Sequence, residues 1–306
     1  MCDDLTDDSN KRWLAQKRLG RREFSALGIG ATAAWLVPGC DSDSSDSKGA
    51  QGAAGAEAAN SATTSSMVSI ETPDGTADAF FVHPRTGRHP AVLVWPDVLG
   101  LRDAFKTMGT QLAAEGYAVL VINQYYRTSP APVLTTWDEW NSDEGKNKVI
   151  PMAGVITPAG TASDAAAVIS WLDEQSAVDT GKKVGSSGYC MGGPFTIRTA
   201  ASRADRVGAI ASFHGASLAT DAADSPHRQL ADVKAALLIA IAQNDDERQP
   251  DAKTKLREAA DAAKLDAEIE VYPAQHGWCA IDHMVYDDEQ ADKAHDRMLA
   301  LFKKHL

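Results

Sequence analysis

From Met67 onward the chain alternates between two hydropathy patterns. Short unbroken apolar runs occur at 91–95 (AVLVW), 118–122 (AVLVI) and 235–242 (AALLIAIA). Runs without polar alternation mark strands covered on both faces. Between them lie stretches with helical spacing. One spans 103–115 and is closed by Gly116, a good helix-stop residue. Another is expected to start at a Ser163 cap and carries Val168, Trp171 and Leu172 on one face. Further helices are predicted over 250–264 and 287–306. Strands are predicted just before Cys190, over 207–215, and in the alternating segment AEIEVY. MVSIET and DAFFVHP flank Pro73-Asp74-Gly75, which predicts a hairpin. Strand–helix alternation with apolar strands predicts an α/β fold, a mostly parallel sheet with helices on both faces. Such sheets gather their chemistry at the carboxyl ends of the strands. Residues 188–192, 244–246 and 275–278 are therefore the segments to watch.

The first 66 residues follow neither pattern. Arg21 and Arg22 precede a charge-free run of small and apolar residues, 26–37. That run is shorter than the roughly 20 residues of a spanning helix. A paired arginine before a short, mildly apolar run is the pattern of a twin-arginine export signal, which carries folded proteins. The expected location is the periplasm or cell envelope. Val37-Pro38-Gly39-Cys40 resembles a bacterial lipobox, with Cys40 as the lipidated residue. The alternative is an amphipathic cytosolic arm. Residues 41–66 hold no aromatic and no branched aliphatic residue, and they read as a flexible tether. The expected division is thus 1–40 signal, 41–66 linker and 67–306 catalytic domain, with any membrane contact made through the lipid.

Composition narrows the class. With 306 residues, 44% hydrophobic, the chain can bury a large core. Its net charge is −12, and the near-neutral first forty residues contribute almost none of that. No basic stripe remains, so nucleic acid is not an expected partner. Four cysteines (Cys2, Cys40, Cys190, Cys279) lack zinc-site spacing, and neither a metal nor a cofactor is expected.

The stretch GYCMG places Cys190 in a Gly-x-nucleophile-x-Gly turn between a strand and a helix. Side chains at Gly188 or Gly192 would collide in so tight a turn. Pro194 suits the first helical turn. A sulfur there is expected to point outward, at a helix N-terminus that favours the thiolate. Downstream, an acid follows one strand (AQNDD) and a histidine follows the last (QHGW), completing nucleophile, acid and histidine in that order. Asp245 is the favoured acid with Asp246 as the alternate, and His276 is the favoured base. Thiol titration would separate this reading from a redox pair of Cys190 with Cys279. A non-catalytic envelope lipoprotein on the same scaffold is the third reading.

From about Met67 to Leu306 the pattern resembles the dienelactone hydrolase (carboxymethylenebutenolidase) family of α/β-hydrolases. VWPDVLGLRD, VINQYYR, GYCMGG, IAQNDD and YPAQHGW carry the resemblance. It implies an α/β-hydrolase fold and a Cys190–His276–Asp245 triad. It also implies an oxyanion hole from the backbone N–H groups of Val98 and Met191. Asp97 stands where the family has a glutamate that holds the thiol. Arg127 matches one of two arginines that grip a substrate carboxylate, beside Tyr126; no second arginine occurs in 279–282. The substrate expected from a thiol nucleophile is an activated ester or lactone. Residues 133–162, with Trp137 and Trp140, are expected to form either a pocket wall or a surface excursion. His214 is expected to be a satisfied core histidine.

Overall fold

The computed structural model describes residues 6, 8–15 and 62–306. Arg21, Arg22, Cys40 and nearly all of the tether lie outside the described residues.

Eight strands form one sheet in the order β1-β2-β4-β3-β5-β6-β7-β8. They are β1 (Thr63–Thr72), β2 (Gly75–Pro84), β3 (Ala91–Trp95), β4 (Ala118–Ile122), β5 (Val184–Tyr189), β6 (Val207–Phe213), β7 (Ala236–Ala242) and β8 (Ala267–Tyr272). The β1–β2 hairpin is antiparallel, β2 joins β4 antiparallel, and every pairing from β4 to β8 is parallel. This is the α/β-hydrolase fold. Residues 63–66, read from sequence as tether, belong to β1. Their side chains are mostly exposed, and main-chain pairing with residues 81–84 holds them, so hydropathy carried no sign of the strand.

The apolar strands alternate between two cores. Ala91, Leu93 and Trp95 point to one side, with Val168 and Leu172 of the helix Pro158–Asp173 and Phe195 of the helix Gly193–Ser202. Val92 and Val94 point to the other, with Phe105 of the helix Asp103–Ala114 and Met298 and Phe302 of the helix Asp288–His305. Burial of one such large aliphatic or aromatic side chain contributes about 1.5–3 kcal/mol. The fold therefore rests on the strand pattern more than on any single contact.

Helix starts follow local chemistry. The helix read as starting at Ser163 begins at Pro158 instead. The Thr157 hydroxyl accepts from the Gly160 N–H, and the proline occupies the first turn where its missing N–H costs nothing. Residues 137–154 form two short helices, Trp137–Trp140 and Asp143–Gly154, capped by Thr136 and Ser142. The helix predicted over 250–264 spans Ala252–Ala262, and a separate short helix, Gln243–Arg248, precedes it.

Candidate active site

Cys190 follows β5 directly, in a single 3₁₀ turn that opens the helix Gly193–Ser202. Its φ is +51°, left-handed for a residue with a Cβ. Such a conformation costs about 1–3 kcal/mol and persists only when neighbours fix it. Here they do: the Cys190 N–H donates to His214 Nδ1 at 3.1 Å, and its carbonyl accepts from Ala216 N–H at 3.0 Å. The flanking glycines are steric necessities. A Cβ on Gly188 would strike the Gly192 carbonyl, and one on Gly192 would strike the carbonyls of Trp95 and Pro96. That close approach presses the turn against the end of β3.

The loop after β3 carries Val98 to the same place. Asp97 Oδ1 accepts from Leu99 N–H at 2.9 Å, and Gln124 Nε2 donates to the Asp97 carbonyl at 2.7 Å. The Tyr125 hydroxyl donates to the Val98 carbonyl at 2.7 Å and contacts Met191 Sδ at 3.6 Å, so one phenol ties the Val98 and Met191 segments together.

Asp245 lies in the first turn of the helix after β7, and His276 in the loop after β8. His276 Nδ1 and Asp245 Oδ2 are 2.6 Å apart. Burial alone would strip the proton from His276. The charges of Asp245 and Cys190, with the Asp245 hydrogen bond to the ring, outweigh burial and push its pKa up to about 10. Asp245 is held below the usual carboxylate range: burial opposes this, but His276 and Arg248 overcome it. Asp246, the alternate acid, is occupied by Lys253 at 2.7 Å. His276 Nε2 is buried and makes no conventional hydrogen bond. Its influential neighbour is the Cys190 side chain. The structure thus brings Cys190, His276 and Asp245 into one electrostatic unit.

Two further histidines face that unit. The His214 ring lies 4.9 Å from the His276 ring, and burial lowers its pKa, keeping it neutral to accept from the Cys190 N–H. The core-histidine expectation thus describes Nδ1, while Nε2 has no hydrogen-bond partner. His283, not singled out in the sequence, is pushed down to about 3 by burial and then by His276 and His214. Gly277 (φ +106°) passes so near the His283 ring that a Cβ there would lie 2.6 Å from it. Trp137 packs on His283 with ring centroids 4.0 Å apart, which places that one residue of the segment 133–162 beside the His276 loop. Cys190 is only 1% exposed, buried rather than pointing outward, and shares its cluster with Leu134, Trp137 and Met191.

The residues expected to hold substrate are otherwise engaged. Asp97 makes a two-bond pair with Arg102 (2.7 and 3.0 Å); burial raises its pKa, and Arg102 only partly offsets that. Arg102 in turn makes two 2.7 Å bonds to Asp282. Arg127 is bound by Asp164 and Asp74, and the Tyr126 hydroxyl contacts Asp164 Oδ1 and Thr72 Oγ1, each at 2.7 Å. These contacts fasten Tyr126 and Arg127 to the β1–β2 turn and the helix Pro158–Asp173. They do not join the Cys190 group. The Arg102–Asp282 pair was invisible in sequence, where its members stand 180 residues apart.

Fold and turn together define an α/β-hydrolase. More narrowly, the chain belongs to the dienelactone hydrolase family, whose model matches residues 77–306. Two relatives described as "putative carboxymethylenebutenolidase" are similar to it. The one from Salmonella typhi is 23% identical over 79% of this chain and 88% of its own. The one from Methylorubrum extorquens is 26% identical over 78% and 80%. Among solved structures, a "putative dienelactone hydrolase" of Klebsiella pneumoniae superimposes with a TM-score of 0.69 at 24% identity. That match covers 80% of this chain and all of the other. Members of this family are hydrolases, and the family supports ester or lactone hydrolysis.

Proposed function

We propose that the protein hydrolyses activated, uncharged carboxylic esters or lactones through a thioester on Cys190. The observation that carries this reading is the His276–Asp245 pair, joined at 2.6 Å, with the other ring nitrogen left to Cys190 in its strained turn. An imidazole charged at neutral pH beside a thiol favours a thiolate–imidazolium pair, so the nucleophile is formed before substrate arrives. The Cys190 sulfur adds to the carbonyl carbon, and the backbone N–H groups of Val98 and Met191 receive the oxyanion. Collapse expels the alcohol or enol oxygen, which takes the proton from His276 Nε2. Water then gives a proton to His276, attacks the thioester carbonyl and releases the acid and the thiolate. Asp245 fixes the ring tautomer throughout.

A thiolate leaves more readily than an alkoxide. An alkyl ester intermediate therefore mostly reverts, whereas an enol or aryl oxygen competes as leaving group. A preference for uncharged substrates is supported by the pairing of Arg127 with Asp74 and Asp164 and of Arg102 with Asp97 and Asp282. Neither guanidinium is free to grip a substrate carboxylate. The experiment is a panel of enol lactones, aryl esters and ethyl esters, with and without a carboxylate. Aryl and enol substrates should lead; equal turnover of ethyl and aryl esters would overturn the reading.

A redox role for Cys190 with Cys279 is disfavoured. The two thiols are not joined as a disulfide, and they lie in different core clusters. Export through the twin-arginine machinery, and lipidation at Cys40, are proposed from the sequence alone. Cell fractionation that found the full-length protein only in cytosol would overturn them.

A further inference from the structure

Residues 8–15 are helical, and this helix packs against the elements that carry Asp245 and His276. Its buried side chain, Asn10, is 1% exposed. Asn10 Nδ2 donates to the His276 carbonyl at 3.0 Å. The His276 N–H donates to Asn244 Oδ1 at 2.8 Å, and Asn244 Nδ2 donates to Asn10 Oδ1 at 3.4 Å. The three bonds close a ring around the backbone of a single residue, His276. Four residues earlier, Thr6 meets the acid from the other side. Its hydroxyl accepts from Arg248 Nη1 at 2.7 Å, while Arg248 Nη2 donates to Asp245 Oδ1, also at 2.7 Å.

We propose that Asn10 is a positioning residue for His276, and that the segment around it braces the histidine–acid pair from outside the catalytic domain. This rests on the reading of Cys190 and His276 as the reacting pair. Asn244 holds the N–H of His276, and among the described residues only Asn10 holds its carbonyl, so without Asn10 the peptide is fixed at one end. Gly277 follows directly and offers no side chain to stiffen the loop. The ring of His276 must stay in line with Asp245 on one nitrogen and Cys190 on the other, and small misalignments of such groups are costly. A chain cut ahead of Cys40, as the lipobox pattern proposes, would lose Asn10 and with it this brace.

The test uses the full chain with Asn10→Ala, Asn10→Asp and, as control, Lys11→Ala on the exposed side of the same helix. Two measurements are made: kcat and KM on an aryl ester, and the pH dependence of Cys190 alkylation by iodoacetamide, followed on the Cys190 peptide by mass spectrometry. Alkylation reads the thiolate–imidazolium pair without requiring turnover. Groups facing His276 that shape this profile are Asp245, Cys190, His214 and His283. Asn10→Ala should lower kcat about tenfold or more with KM little changed, and should move the alkylation profile. Asn10→Asp keeps the acceptor for Asn244 but loses the donor to His276, and should fall in the same direction; it decides the matter if the alanine variant does not fold. Lys11→Ala should match the parent. Unchanged kcat and an unchanged profile in folded Asn10 variants would overturn the proposal. A parent without esterase activity but with a profile that shifts on Asn10 substitution would instead remove the substrate reading and leave the brace standing.

Discussion

At the carboxyl ends of β7 and β8, Asp245 holds His276; beside the β1–β2 turn, Asp164 and Asp74 hold Arg127. Both regions bury charge, and both satisfy it with short, direct bonds. They differ in what is left over. Around Arg127 the guanidinium is shared between two carboxylates, and Tyr126 completes the cluster through Asp164 and Thr72. In the His276 group one nitrogen, Nε2, has no conventional partner and faces the influence of Cys190, whose own backbone is held in a strained turn. A fully paired cluster fastens elements together. A pair with one open valence, beside a strained nucleophile, is arranged to react. Arg102 belongs with the first kind: it is nearly buried, yet Asp97 and Asp282 use both edges of its fork.

The largest effect that can break this contrast is on Cys190. Cys190→Ala should cost about 10⁴-fold or more in kcat for an aryl ester while leaving the melting temperature near the parent's. Next comes the acid. Asp245→Asn should lose about 10³- to 10⁴-fold, as expected when the histidine tautomer is no longer fixed. Asp246→Asn should stay within about threefold, because Lys253 and not His276 is its partner. Steady-state kinetics on both variants decides between the two carboxylates that the sequence left open.

The paired clusters predict the reverse profile, with stability changing more than chemistry. Arg102→Met leaves Asp97 buried without its counter-charge and should destabilise the fold by about 3–5 kcal/mol in chemical denaturation. Arg127→Ala should cost less, about 1–2 kcal/mol, since Asp74 is half exposed and buried Asp164 keeps the Tyr126 hydroxyl as a donor. KM for a neutral aryl ester should be unchanged in that variant, whereas a carboxylate grip would show as a rise.

The smallest expected effect is on stability against pH. His276 has its pKa raised above the ordinary 6.5 to about 10. Its contribution is therefore complete below about pH 6.5 and fades as pH rises toward 10. His283 is depressed to about 3, so the native state binds fewer protons than the unfolded chain between 3 and 6.5. Its contribution runs the other way and fades as pH falls through that interval. Thermal melts should peak near neutral pH, and Asp245→Asn should flatten the alkaline side.

Much of this was readable in the chain. Unbroken apolar runs marked β3, β4 and β7, because a strand covered on both faces is mostly apolar on each. The glycine pair around Cys190 announced the turn, because the Gly192 carbonyl crowds Gly188 and the carbonyls of Trp95 and Pro96 crowd Gly192. Asp245 and His276 followed from lying just past strands. What stayed hidden was pairing across distance. Thr63–Ser66 join β1 through main-chain bonds that leave no hydropathy trace. Arg102 finds Asp282, Arg127 finds Asp164, and Asn10 finds His276, and each match depends on the finished fold. Arg127 in particular offers a lesson: the cation that the sequence suggested for a substrate carboxylate is paired with Asp74 and Asp164, acids that only the fold brings to it.

The central claim is that the acyl group passes through sulfur. The direct measurement is a rapid acid quench of full-length protein mixed with an aryl ester, followed by peptide mass spectrometry. The account predicts the acyl mass on the peptide carrying Cys190, accumulating within the first turnover and persisting longer in His276→Ala. Continued turnover with no acyl mass on that peptide, or with the label on a serine, would contradict it.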